Sequence, residues 1–86
     1  MIVRFYELTQ KAEFRTIGDI RLDKDRLVAD PPDSEDLQRL LAEPVGVYHE
    51  DKPLEYVDPN EVPEKFLKGC VATFHGSYFW CKEVED

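Results

Sequence analysis

Cysteine is scarce in this 86-residue chain, with two in all, and cations are outnumbered: 11 Lys and Arg stand against 19 Asp and Glu, a net charge of −8. Each shortage excludes something. Two cysteines are too few to staple a small secreted scaffold. The deficit of cations argues against nucleic-acid binding, because neutralising phosphates needs clustered Lys and Arg. It argues equally against an anionic membrane surface. Long apolar runs are missing too. The opening MIVRFYELTQ has no extended apolar segment and no small-residue cleavage site, and no stretch approaches the length of a membrane span. Gly-rich phosphate loops, a GxSxG elbow and an HExxH pair are likewise missing. The chain therefore reads as cytoplasmic, reduced and soluble, without a cofactor and not an enzyme.

What is present is the composition of one small globular domain over residues 1–86, 42% hydrophobic and 35% charged. Its core must be thin, since a chain of this size buries only about 60% of its unfolded surface. The acidic excess is spread over both halves, net −3 in residues 1–43 and −5 in residues 44–86, with no long single-sign block.

Ile2 to Leu8 predicts a strand, with Val3 and Phe5 on one face and Ile2, Tyr6 and Leu8 on the other. Glu13 to Leu22 predicts a second strand, bent at Gly18. Asp23-Lys24-Asp25 is a turn signal leading to a third strand from Arg26 to Ala29. The clearest helix is DPPDSEDLQRLLAEP. Asp33 or Ser34 caps it, Glu35 and Asp36 suit its positive end, Leu37, Leu40 and Leu41 make one apolar face, and Pro44 stops it. Val45 to Tyr48 and Leu54 to Val57 predict a short strand pair. A second helix is expected after Asp58-Pro59-Asn60, with Pro63 in its first turn. Glu61–Lys65 and Glu64–Lys68 would be its i, i+4 pairs, and Val62, Phe66 and Cys70 its buried face. That helix ends at Gly69 or runs on toward Thr73. Tyr78 to Val84 predicts the last strand.

The stretch GCVATFHGSYFWCKE, residues 69 to 83, concentrates the chemistry-bearing residues. Cys70, His75 and Cys81, with the remote His49, form a nominal Cys2His2 set. Zinc favours ligand pairs two to five residues apart, and neither CxxC nor HxxxH occurs here. The spacing thus predicts no metal, and a Cys70–Cys81 disulfide is unexpected in a chain without an export signal. Ser77 and His75 lack a third group to orient a base. Period-two alternation instead puts Phe79 and Cys81 on the core face, with Tyr78, Trp80 and Lys82 on the opposite one. Trp and Tyr on an open sheet face form a candidate partner-binding surface.

The run RLVADPP, the leucine-rich helix after it, PVGVYHEDKPLEYVDP and FLKGCVATFHGSYFW together resemble small bacterial α+β proteins of uncharacterised function. The resemblance covers residues 20 to 82 and implies a self-contained α+β domain. It carries no activity, substrate or site. The fold expected is α+β: a small antiparallel sheet of four to five strands with two short helices packed on one face. The function expected is a non-catalytic protein–protein interaction module with an acidic surface and an aromatic patch, its partner a protein, with a basic one suited to that surface. Two alternatives stand beside it. One is an acidic regulator or inhibitor of a nucleic-acid-binding protein, a mimic or antitoxin-like partner. The other is a small metal or thiol protein built on the C-terminal Cys and His residues. Monomer and homodimer are equally compatible with the sequence.

Overall fold

The computed structural model describes residues 1–48, 51–68, 71–74 and 77–85. Seven strands and two helices follow in the order β1 (Ile2–Leu8), β2 (Phe14–Asp23), β3 (Arg26–Asp30), α1 (Glu35–Ala42), β4 (Val45–Tyr48), β5 (Glu55–Val57), α2 (Pro63–Leu67), β6 (Val71–Phe74) and β7 (Ser77–Val84). All seven strands join one sheet, in the order β3-β2-β1-β7-β6-β4-β5, and every neighbouring pair is antiparallel. The α+β class and the antiparallel sheet agree with the sequence reading. The expected four to five strands do not: among the described residues there are seven.

β6 is the one that no predicted strand covers. Val62, Phe66 and Cys70 at four-residue spacing suggested a helix reaching to Gly69 or beyond, yet α2 is a single five-residue turn from Pro63 to Leu67. Val71 and Thr73 are β-branched, which favours the pleated conformation they adopt beside β7. Val62 is exposed and precedes the helix rather than lying on its buried face. Because α2 starts so late, Glu61 lies outside it. Lys65 reaches Glu55 of β5 instead, while Lys68 and Glu64 keep the expected pairing at 4.0 Å.

A β-bulge shapes the centre of the sheet. Phe5 pairs with Gly18 and Tyr6 with Thr16, so Ile17 is the extra residue. Gly18 sits at φ +143°, a conformation that side chains rarely tolerate, with the Asp30 carbonyl and Leu37 pressed against its missing Cβ. The bulge also reverses the alternation of β2. Gly18 and Ile20 lie on the side of Phe5 and Val3, whereas Phe14 and Thr16 move to the side of Tyr6 and Leu8.

One core cluster holds Val3, Phe5 and Ile20 from the central strands, Ala29 from β3, Val45 and Val47 from β4, Val57, Phe79 and Cys81. Leu37 and Leu40 of α1 and Phe66 and Leu67 of α2 complete it. Helix α1 is short, so its ends matter. The Ser34 hydroxyl accepts a hydrogen bond from the Leu37 amide at 3.3 Å, and Gln38 Nε2 donates to the Pro32 carbonyl at 2.8 Å. Ser34→Ala should therefore lower unfolding stability by about 1 kcal/mol. A urea titration reads this as a lower midpoint at constant slope, and an unchanged midpoint would mean the cap contributes nothing.

Candidate functional site

With alternate residues of the central strands committed to the core, the other set forms the opposite face of the sheet. Phe79 and Cys81 are buried, and Tyr78, Trp80 and Lys82 of the same strand are exposed. The register shows what surrounds them. Trp80 pairs with Tyr6 on one side and with position 71 on the other, and position 71 pairs with Tyr48. Thr16 extends this row beyond Tyr6. One step along the strands lies a second row: Phe14 beside Leu8, then Tyr78, Thr73, Gly46 and Tyr56. Five of the chain's nine Phe and Tyr residues fall in these rows with the single Trp; what gathers Tyr6, Phe14, Tyr48, Tyr56, Tyr78 and Trp80 is strand register.

All of these rings but Tyr6, which is half-buried, are open to solvent. Tyr56 is 72% exposed, Phe14 61%, Tyr78 59% and Trp80 50%. The Phe14 and Trp80 rings lie 6.4 Å apart, tilted by 59°, although their strands flank β1 on either side. Together with Tyr6 and Lys82 they line a shallow, mainly apolar groove of about 530 Å³. Not one of the eleven positions in the two rows carries a charge. In a chain that is 35% charged, about four would be expected in a set of that size.

Charge begins at the next row. Asp30 pairs with Asp19, Asp19 with Arg4, and Arg4 with Lys82 across four strands. Arg4 Nε donates to Asp19 Oδ1 at 2.8 Å, and that hydrogen bond, reinforced by the carboxylate's charge, raises the guanidinium pKa above its ordinary value. On the helix side of the sheet Arg15 donates to Glu7 Oε2 at 2.7 Å, with the same consequence. Acidic and aromatic surfaces are thus separate. The aromatic rows are uncharged, the row beside them mixes both signs, and much of the acidic excess sits on the helices and loops, for example at Asp33, Glu35, Asp58, Glu61 and Glu64.

Sequence alternation placed Tyr78, Trp80 and Lys82 on this face, and the structure brings the first two together with four further aromatics that it did not nominate. Phe14 was the least accessible to sequence reasoning. Uninterrupted alternation groups it with Ile20 and Leu22, and only the bulge beside Gly18 turns it outward. A glycine inside a strand was the available signal. Of the nominal metal set, His49, Cys70 and His75 lie outside the described residues, and Cys81 belongs to the core. Among the described residues no group of three or more His, Cys, Asp or Glu could hold a metal ion, and no helix is long and apolar enough to cross a membrane. No family model matches the chain, and neither a curated protein nor a solved structure matches it.

Proposed function

We propose that the protein is a non-catalytic protein–protein interaction module whose docking surface is the open face of the sheet, centred on Trp80 and Tyr78. The observation that carries this reading is the uncharged aromatic band. Interface cores are depleted in charge and enriched in Tyr, Trp and Phe relative to ordinary surface. Exposed apolar patches of more than a few hundred Å² are rare on proteins that act alone. Lys82 and Arg4 border the band and suit a polar rim. The acidic mimic gains less support, because in the charged row of this face Asp30 and Asp19 are followed by Arg4 and Lys82, so both signs share the row and it is not a run of carboxylates alone.

The test is site-specific photo-crosslinking in the source cell. A photoreactive phenylalanine analogue at position 78 should yield discrete protein adducts, and the same analogue at Arg39, exposed on α1, should not. Trp80→Ala should remove the adducts while leaving the unfolding midpoint within about 1 kcal/mol of the parent, as expected of a half-exposed ring. Equal labelling at both positions, or none at position 78, sinks the reading.

A further inference from the structure

The same face has a partner whose chemistry is on the page. We infer that the open face docks on a second copy of itself, forming a two-fold symmetric pair of sheets; this rests on the face being a docking surface at all.

Charge selects this occupant. A basic partner would be drawn to the carboxylates of the helices and loops, away from the aromatic rows, which offer it no counter-charge. An acidic partner meets a chain of net charge −8. A two-fold interface imposes a different requirement: the patch must tolerate facing itself, and like charges placed opposite each other are costly. An uncharged band satisfies that condition. The adjoining row, with Asp19 and Asp30 against Arg4 and Lys82, supplies both signs at the rim. Face-to-face docking also keeps the acidic helices of the two copies on the outside, with both sheets between them.

Area agrees. Seven strands at about 4.8 Å spacing span roughly 29 Å, and strands averaging about six residues run roughly 20 Å, so the face offers on the order of 600 Å². That approaches the ~800 Å² that each partner contributes to a standard interface. Sheets packed this way sit about 10 Å apart, a gap that interleaved aromatic side chains fill.

The chain's single tryptophan lies in the band, so the protein carries its own probe. Sedimentation equilibrium and Trp80 emission are recorded together on the full chain over a dilution series. The expected result is a mass near twice 10.1 kDa at high concentration, falling to 10.1 kDa on dilution, with emission shifting to the red over the same range. Added salt should tighten the pair, because it screens repulsion between two chains of charge −8. Trp80→Asp should weaken association at least about thirtyfold. Since Trp80→Asp removes the probe, Phe14→Ser, which keeps Trp80, reports the same loss by mass and by emission. A chain of 10.1 kDa at every concentration overturns the inference. If crosslinks from position 78 then reach other proteins, the docking reading survives without it; if they reach nothing, both fall. A dimer insensitive to Trp80→Asp and Phe14→Ser also overturns it, by placing the contact elsewhere.

Discussion

Gly18→Ala should be among the most damaging single-methyl substitutions in this chain, lowering unfolding stability by about 3–5 kcal/mol. Two costs combine. The residue's φ of +143° lies where an L side chain is strained. An added Cβ would also fall 2.6 Å from the Asp30 carbonyl oxygen, 2.7 Å from Leu37 Cδ1 and 3.0 Å from Pro31 Cδ. The carbonyl belongs to the neighbouring strand and Leu37 is fully buried in α1, so neither yields without moving a secondary-structure element. Domains of this size have only about 5–15 kcal/mol in total, so the variant should be partly unfolded near physiological temperature. Urea denaturation followed by far-UV circular dichroism reads the loss. A midpoint shift worth less than about 1 kcal/mol would mean that the bulge can relax and that the close approach to Leu37 is not held by packing.

That substitution has a second consequence, at the candidate site. The bulge turns Phe14 from the core side to the side of Trp80. Relaxing it would return β2 to plain alternation and draw Phe14 back toward Ile20 and Leu22. A Gly18→Ala chain that still folds should therefore lose the Phe14–Trp80 ring contact, and its association should weaken in proportion.

Much of the fold was legible where local signals agree with tertiary demand. Strands β1 and β3 and helix α1 have residues whose propensity, periodicity and turn chemistry all point one way, and they form within a residue or two of the expected bounds. Ser34 caps α1, and Lys24 takes φ 57° in the tight turn between β2 and β3. Legibility failed where two periods fit the same residues. Val62, Phe66 and Cys70 satisfy a helical spacing, but Val71 to Phe74 is recruited by its neighbours β7 and β4, whose unpaired backbone groups it satisfies on both sides. No local preference records that requirement. The site was legible by half for a related reason. Alternation along β7 assigned Trp80 and Tyr78 to a face, but the band exists only because six strands are aligned, and alignment is a long-range property.

Phe66→Ala should cost about 3–5 kcal/mol, and the contrast with Trp80→Ala separates the two faces of the sheet. Helix α2 has five residues and no side-chain cap at its start, far below the length at which a helix holds itself together. What fixes it is burial of Phe66 and Leu67. The Phe66 ring stacks on Phe5 with centroids 6.0 Å apart and planes 21° from parallel, so truncation removes an aromatic pair as well as buried area. The cavity would open between the helix and β1, the strand that carries Arg4 and Tyr6 on its other side. Phe66→Leu, which retains most of the volume, should cost less than about 1.5 kcal/mol. Trp80→Ala removes a larger ring at a cost of about 1 kcal/mol or less, because half of that ring already meets water. Urea midpoints for the three variants should therefore fall in the order Phe66→Ala lowest, Phe66→Leu and Trp80→Ala near the parent. The association experiment should reverse the ranking: the folded fraction of either Phe66 variant keeps the parent's affinity, and Trp80→Ala loses it. Were Phe66→Ala tolerated and Trp80→Ala unfolding, the core would lie on the aromatic side, and the face assigned to docking would be the one the helices cover.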